Sequence, residues 1–345
     1  MEQEHKRRVR YKGTHPRNYH EKYKELNPEK YQSDVEAIIQ NGKTPAGMHI
    51  PIMVNEILEF LCIQPGQIGY DATLGYGGHT KRMLECLKGQ GHLYATDVDP
   101  VESAKTRARL EEQGYGPDIL TIKLMNFSDL DKVAPGVQFD FVLADLGVSS
   151  MQIDNPERGF TFKHDGPLDL RLNPTAGVTA AERLRELKQD ELVGMLVENA
   201  DEPYADRIAA AVMRTFRQGK TIGTTKQLAA IVEQALSFLP ASQRKEAVRK
   251  SCQRTFQALR IDVNSEFEVL YAFLEKLPSV LKSGGRAAVL TFHSGEDRLV
   301  KKAFKQHFRE GIYSEIAENV IRPSGQECFD NPRAKSTKMR WAIRG

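Results

Sequence analysis

The chain has 345 residues, of which 40% are hydrophobic and 28% are charged, a composition typical of a globular protein with one large or two modest domains. No apolar stretch approaches a membrane span in length and the first residues are polar, so we expect no transmembrane helix, no secretion signal and a cytoplasmic location. The four cysteines form no C-x-x-C pair, which argues against a zinc site and a disulfide framework; they are Cys62, Cys86, Cys252 and Cys328.

The N-terminal arm, residues 1–47, begins with a cluster of positive charge, although the net charge of the whole chain is only +3. Residues 5–12 form a basic run, and tyrosines are interleaved at Tyr11, Tyr19, Tyr23 and Tyr31. Basic side chains attract phosphates and tyrosines stack on unpaired bases, which favours a nucleic-acid contact. A solvated tail explains the same composition, and the sequence leaves both interpretations open.

Apolar strands alternate with helical patterns from about residue 48 onward, which predicts an α/β fold with a mostly parallel sheet and helices on both faces. The expected strands cover residues 68–72, 92–97, 119–124, 139–145 and 285–292, and a last strand covers 338–343. The interval between the fourth and fifth strands is much longer than a crossover connection needs. We therefore predict a core of residues 48–165 and 262–345, interrupted by a small inserted helical domain at 166–261.

The inserted domain has five amphipathic patterns separated by glycine and proline. They predict helices at 179–187, 190–198, 203–218, 224–239 and 244–259. The last of these stretches is strongly basic, with Arg244, Lys245, Arg249, Lys250, Arg254 and Arg260. This pattern indicates either a solvated helix face or a face that contacts phosphates.

A glycine-rich loop follows the first predicted strand, in the segment Asp71-Ala-Thr-Leu-Gly-Tyr-Gly-Gly-His79. Glycines permit a turn that β-carbons would forbid, and they let backbone N–H groups approach a ligand at the start of a helix. The second predicted strand ends in Asp97, about twenty residues after these glycines, where a carboxylate accepts hydrogen bonds from ribose hydroxyls. The two segments together predict a nucleotide-type cofactor site.

Two cofactors fit this pattern, a dinucleotide such as NAD and S-adenosylmethionine. An acid just before the glycines repels a pyrophosphate but suits the sulfonium and ammonium groups of S-adenosylmethionine, so Asp71 favours the methyl donor. A second interpretation is that Asp71 only closes the turn that follows its strand.

Asp145 ends the fourth predicted strand, within Asp145-Leu-Gly-Val-Ser-Ser150. The lone pair of an exocyclic amine on a nucleobase is delocalised into the ring, so a transferase needs an oxygen that orients the amine and takes its proton. We predict this catalytic role for Asp145; the alternative is that it only caps its own loop or contacts the cofactor. The residues after it would hold a splayed base by stacking and hydrogen bonds, or would only stabilise the long loop; they are Arg158, Phe160, Phe162, Asp169 and Arg171.

From about His49 to the C-terminus the chain resembles the 16S ribosomal RNA cytosine-N4 methyltransferase family (RsmH/MraW type). The resemblance rests on separate motifs in the expected order: the glycine loop and Asp145 motif above, Asn126-Phe-Ser128, Arg158-Gly-Phe-Thr-Phe162, Asp165-Gly-Pro-Leu-Asp-Leu-Arg171, Arg254-Thr-Phe-Gln-Ala-Leu-Arg-Ile261, Phe292-His-Ser294 and Asn331-Pro-Arg-Ala-Lys335. It implies a class I methyltransferase core with S-adenosylmethionine as donor and no metal. The substrate it implies is a cytosine of small-subunit rRNA in the decoding centre, presented as naked RNA or in the assembled small ribosomal subunit.

Carried over by position, the resemblance implies a set of cofactor contacts. They are Gly77, Gly78, His79, Asp97, Phe127, Asp145 and Gln152. Arg254 is added to the predicted substrate contacts because it begins one of the shared motifs. The chain departs from the family pattern at Gly295, where leucine is usual, and at Ser251-Cys-Gln253. Another RNA position as target, or a non-catalytic factor in ribosome assembly, therefore remain the alternative functions.

Overall fold

Seven strands form a single sheet in residues 51–345, the part of the chain that this computed structural model describes. They are β1 Ile68–Asp71, β2 His92–Asp97, β3 Leu120–Leu124, β4 Phe139–Asp145, β5 Leu281–Thr291, β6 Tyr313–Ile316 and β7 Lys338–Arg344. Their order across the sheet is β3-β2-β1-β4-β5-β7-β6. The first five strands are parallel, and β7 runs antiparallel to both of its neighbours. The predicted α/β fold with a mostly parallel sheet is confirmed.

Two features of the sheet differ from the sequence prediction. β5 begins at Leu281 rather than at residue 285, because the strand continues through Gly284 and Gly285 with a shift of register against β4. The short strand β6 was not predicted, since two of its four residues, Ser314 and Glu315, are exposed and polar. Both differences lie away from the glycine loop.

Helices cover the sheet and build the insertion. In the core they are α1 Val54–Leu61, α2 Gly78–Leu87, α3 Pro100–Glu112 and the short α4 Ser150–Asp154. The insertion contributes α5 Ala180–Glu186, α6 Gln189–Ala200, α7 Ala205–Arg217, α8 Thr225–Ala235 and α9 Ala241–Asn264. The chain then returns to the core with α10 Glu266–Val280, α11 Ser294–Arg309 and α12 Gly325–Asp330. None of the helices in this described part is long and apolar enough to cross a membrane.

Three hydrophobic clusters correspond to this division. One lies between Leu168 and Leu259 and is formed by the helices of the insertion. The other two lie on the sheet; one includes Met83 and Leu93, and the other includes Tyr70 and Phe273. β4 is buried along most of its length because both faces of the sheet are covered. The predicted boundaries at 166–261 agree with the first cluster and stay a prediction, and the predicted arm, residues 1–47, lies outside the described residues.

The strand order fixes where a ligand binds. β1 lies between β2 and β4, so the connections leave the sheet in opposite directions at this point. In open α/β sheets, ligands bind at the carboxyl ends of the strands beside such a switch point. Asp71, Asp97 and Asp145 are the last residues of β1, β2 and β4, and therefore meet at this edge.

Candidate active site

The glycine loop is held rigidly between β1 and α2. Gly77 adopts a φ of 77°, and a β-carbon there would lie 2.8 Å from the Thr106 methyl carbon, so only glycine fits. The Thr106 hydroxyl donates to the Gly75 carbonyl at 2.7 Å, and the Arg109 guanidinium bonds the Tyr76 carbonyl and stacks on the Tyr76 ring. The loop is thus shaped before any ligand arrives.

Asp71 closes this turn rather than facing a ligand. Its side chain is 1% exposed, and its two oxygens accept hydrogen bonds from the Thr73 backbone N–H at 3.1 Å and the Thr80 hydroxyl at 2.6 Å. Burial raises the pKa of the Asp71 carboxyl. The second interpretation from the sequence, a carboxylate that caps the turn, therefore describes the contacts of Asp71.

Asp97 is fixed by backbone groups on both sides. Its Oδ2 accepts from the Gly75 N–H at 2.8 Å and its Oδ1 from the Asp99 N–H at 2.9 Å. Burial is the main cause that raises the pKa of Asp97 to about 6, although these two N–H groups oppose the shift. The structure therefore brings the predicted ribose carboxylate against the predicted glycine loop.

A cavity of about 400 Å³ opens beside Asp97. Its walls come from two parts of the chain, and the lining residues are Val98, Leu124, Met125, Asn126, Leu172, Asn173 and Asn264. Phe127 follows directly in the chain, half-buried, and packs edge-on against Phe273 with ring centroids 5.3 Å apart. An adenine contact, which is the cofactor contact that the family resemblance implies for Phe127, and ordinary core packing are both compatible with this position.

Asp145 and His79 form a pair at the other end of the site. His79 Nε2 lies 2.9 Å from the Ile52 carbonyl oxygen, which only accepts, so Nε2 carries a hydrogen. His79 Nδ1 then faces Asp145 Oδ2 at 3.4 Å, and the pair can hold one further proton on the ring or on the carboxyl. The other oxygen, Asp145 Oδ1, is buried and has no hydrogen-bond partner within residues 51–345.

Burial raises the pKa of Asp145 to about 6. His79 lowers it, whereas the negative charges of Asp71 and Glu296 raise it further. A carboxyl with this pKa changes protonation close to neutral pH, which suits a group that accepts a proton during a reaction.

Glu296 and His293 lie beside this pair and were not assigned a role from sequence. Glu296 is 3% exposed, accepts from the Phe292 N–H at 2.8 Å and lies 3.1 Å from His293 Nε2. The motif that contains His293 was visible in the sequence, but the distance to Asp145 depends on the pairing of β4 with β5.

Gln152 and Arg158 meet at Asp99, a fourth aspartate at this edge that the sequence analysis did not identify. Asp99 is fully buried; its Oδ1 caps α3, and its Oδ2 accepts from Gln152 Nε2 at 3.2 Å and from Arg158 Nη1 at 2.6 Å. Gln152 Oε1 also accepts from the Ser149 N–H at 2.9 Å in a capping box at the start of α4. The predicted cofactor residue Gln152 is therefore tied to the loop beyond Asp97.

Most of the predicted substrate residues make contacts within the protein. Phe160 and Phe162 pack against the insertion cluster, and the Phe162 ring centroid lies 5.4 Å from that of Phe256. Arg171 forms a two-pronged ion pair with Asp169, through Nε at 2.7 Å and Nη2 at 2.8 Å. These contacts stabilise the long loop, which was the alternative interpretation, and leave a role in substrate binding as a prediction.

Arg254 differs from these residues. It is half-buried on α9 and, within residues 51–345, forms no ion pair or hydrogen bond. Its neighbour Arg249 is paired with Glu246, and Arg244 bonds the Leu239 carbonyl. Arg254 thus keeps its charge available on the basic helix.

Comparison with known proteins gives a consistent result. The sequence profile described as "MraW methylase family" matches residues 46–344. A "Ribosomal RNA small subunit methyltransferase H 1" from Agathobacter rectalis is 65% identical over 344 residues, covering 99% of each chain. A "Ribosomal RNA small subunit methyltransferase H 2" from Alkaliphilus metalliredigens is 62% identical, again over 99% of each chain.

A more distant relative aligns with a shorter part of the chain. "Ribosomal RNA small subunit methyltransferase H" from Thioalkalivibrio sulfidiphilus is 37% identical and covers 99% of its own length but 88% of this chain. Since the family profile begins at residue 46, most of the N-terminal arm lies outside the shared family region.

Proposed function

The chain belongs to the MraW methylase family, and we propose that it transfers a methyl group from S-adenosylmethionine to the exocyclic N4 of a cytosine in small-subunit rRNA, in the decoding centre. Membership of a methylase family confirms the predicted type of enzyme, a methyltransferase, and its predicted cofactor, S-adenosylmethionine. The names of the relatives support small-subunit rRNA as substrate and, with it, a cytoplasmic location. The choice of N4 is supported by chemistry, as follows.

The residues at the edge of the sheet fit the cofactor. A ribose contact of Asp97 and the glycine loop is supported by the hydrogen bond between them, and the cavity beside Val98 has the size expected for a small-molecule site. His79 and Asp145 lie at the opposite side of the loop, where an acidic group suits a sulfonium. When bound, S-adenosylmethionine supplies an electrophilic methyl group.

The unpartnered Asp145 Oδ1 is the observation that carries the proposal. Removing an exocyclic amine proton requires an acceptor, and Oδ1 is a buried oxygen that has no hydrogen-bond partner within residues 51–345. Accepting one N–H of the amine orients the nitrogen lone pair, and the same oxygen takes the proton as the new N–C bond forms. When the further proton of the pair lies on His79 Nδ1, 3.4 Å from the other oxygen, the charged ring stabilises the ionised carboxylate that must be present first.

The cysteines support an amine target rather than a ring carbon. Methylation at C5 of cytosine needs a cysteine nucleophile, whose thiolate attacks the ring. Cys252 is buried in the insertion cluster, where burial raises the pKa of its thiol to about 12, and Cys86 and Cys328 pack against a cluster on the sheet. Cys62 ends α1. Direct transfer to nitrogen needs no such nucleophile.

Substrate capture is proposed to use the insertion. Arg254 offers an unpaired guanidinium to a phosphate, and Phe160 and Arg171 border the loop that leads from the Asp145 motif into the insertion. The target base has to leave its stack to reach Asp145, which is easiest in single-stranded or distorted RNA.

The test is to supply small subunits and naked rRNA that lack the modification, together with a labelled methyl donor, and to identify the methylated nucleoside by mass spectrometry. We expect N4-methylcytidine at a single decoding-centre position. 5-Methylcytidine or N6-methyladenosine as the product would contradict the proposal. Donor binding without turnover on either substrate would favour the non-catalytic assembly factor.

A further inference from the structure

The insertion meets the core at a short segment, residues 170–173, that borders the cavity beside Asp97. Leu170 is buried and has a φ of 63°, a left-handed conformation that costs a leucine about 1–2 kcal/mol and needs support from its surroundings. Leu172 and Asn173, the next residues, line the cavity. The contacts that hold this segment therefore also determine the shape of the cavity.

Two side chains hold the segment from opposite sides. Asn264, at the end of α9, accepts from the Leu172 N–H at 2.7 Å and donates to the Leu170 carbonyl at 2.8 Å. Arg158 Nη2 donates to the Leu172 carbonyl at 2.8 Å and to the Arg171 carbonyl at 3.1 Å. Every backbone polar group named here is hydrogen-bonded to a side chain. The conformation of the segment is therefore held by side chains that are distant in sequence.

The same guanidinium reaches the opposite wall. Arg158 Nη1 lies 2.6 Å from Asp99 Oδ2, and Asp99 follows Val98, which lines the core side of the cavity. Asp99 is 0% exposed, so this ion pair is buried on the Asp99 side. Removing one partner of a buried pair leaves the other charge uncompensated, which is strongly unfavourable in proteins.

We propose that residues 170–173 form the outer wall of the pocket for the adenosyl part of the donor, and that Arg158 is the positioning residue that joins this wall to Asp99. The inference rests on the proposed donor site. It gives Arg158 a task in donor binding instead of the substrate contact predicted from sequence. It also makes Leu172 and Asn173, residues of the insertion, part of the donor pocket.

The test compares the variants Arg158→Met and Arg158→Lys by calorimetry with S-adenosylmethionine and by RNA titration. Arg183→Met is the matched control, because Arg183 pairs with Asp262 at 2.7 Å between α5 and α9 and takes no part in the cavity. We expect the donor Kd to rise about tenfold or more in Arg158→Met and by a smaller factor in Arg158→Lys, since lysine keeps the charge but not the fork. RNA affinity measured without donor should stay within about threefold of the unaltered protein, which separates a role in donor binding from a substrate contact.

Leu172→Ala provides a second probe that leaves the ion pair intact, in case Arg158→Met does not fold. It removes a side chain from the wall, and we expect the donor Kd to rise about threefold or more. An unchanged donor Kd in folded Arg158→Met and in Leu172→Ala would overturn the inference, as would a loss confined to RNA binding. If the unaltered protein itself does not bind S-adenosylmethionine, the proposed donor site fails instead.

Discussion

Asp97 and Asp145 occupy equivalent places on either side of β1, yet their carboxylate oxygens differ in their hydrogen-bond partners. Both end a parallel strand, and burial raises the pKa of each to about 6. Asp97 has a backbone N–H on each oxygen, whereas Asp145 has His79 beside one oxygen and no hydrogen-bond partner, within residues 51–345, on the other.

Under the proposed function, this difference assigns Asp97 to donor binding and Asp145 to methyl transfer. Backbone N–H groups hold the Asp97 carboxylate in place, so the side chain loses little conformational freedom when a pair of hydroxyl groups binds to it. A buried acceptor without a partner costs about 1–3 kcal/mol, and Asp145 tolerates that cost in the free protein. An oxygen kept in this state gains a hydrogen bond when an amine arrives, so the cost is recovered as the reactive complex forms.

The largest effect is expected from Asp145→Asn. This change keeps the shape of the side chain but removes the base, so single-turnover methylation should slow by about two orders of magnitude or more while RNA affinity changes little. Donor affinity can fall to a smaller extent, because the family resemblance also places Asp145 near the donor. Rapid-quench assays with labelled donor measure the rate. Asp129→Asn, which alters an exposed carboxylate paired with Lys132, is the control. A near-normal rate in Asp145→Asn would contradict the proposed role of Asp145 as the base.

The second largest effect is expected from Asp97→Ala. Loss of a charge-assisted hydrogen bond to the ribose should weaken S-adenosylmethionine binding by about 2 kcal/mol, or roughly thirtyfold in Kd. Calorimetry checks this value, and NAD serves as the negative control because it should not bind measurably. Unchanged donor affinity would contradict the proposed role of Asp97 in donor binding.

The pH dependence sharpens the comparison further. Asp145 has to be ionised to accept a proton, so kcat at saturating donor should fall about tenfold per unit as the pH drops below its pKa of about 6, and should level off above it. Burial is the main cause of this raised pKa; His79 opposes it, and Asp71 and Glu296 add to it. Asp97→Asn should keep this limb at saturating donor, because Asp97 titrates in donor binding. Loss of the limb in that variant would assign the titration to Asp97.

Deleting residues 1–45 is expected to have the smallest effect on the functions proposed for Asp97 and Asp145. If the basic arm contacts phosphates, the deletion should reduce the slope of log K against log salt for RNA binding by roughly 0.7 per lost contact. Donor binding and single-turnover chemistry at saturating substrate should be unchanged, since Asp97 and Asp145 remain. Titrations of small subunits and naked rRNA at several salt concentrations test this. Equal slopes for both proteins would identify the arm as a solvated tail.

Site residues that belong to a local sequence pattern could be predicted from the sequence. A buried strand that ends in an acid marks Asp97 and Asp145, and the glycine spacing marks the loop between β1 and α2. Contacts between distant segments could not be predicted. Asp99 lies 53 residues from Gln152 and 59 from Arg158, so no local periodicity connects them.

The departures from the family pattern also depend on contacts between distant segments, which the sequence does not reveal. Gly295 interrupts a familiar motif, and only the structure shows why it suits this chain: a β-carbon there would lie 2.6 Å from the Phe267 ring. Ser251 is likewise explained by its partner, since its hydroxyl donates to the buried Glu202 at 2.8 Å. In each case the partner is supplied by tertiary packing.

The Arg158 bridge also has a thermodynamic consequence. A side chain that joins the two walls of the donor pocket couples the conformation of the insertion to the free energy of donor binding. If RNA stabilises the arrangement in which residues 170–173 are closed, it tightens the donor, and by reciprocity the donor tightens RNA by the same factor. Cutting the bridge in Arg158→Met should bring that factor toward one. Under that condition the two substrates bind the unaltered protein with positive heterotropic cooperativity, whichever of them binds first.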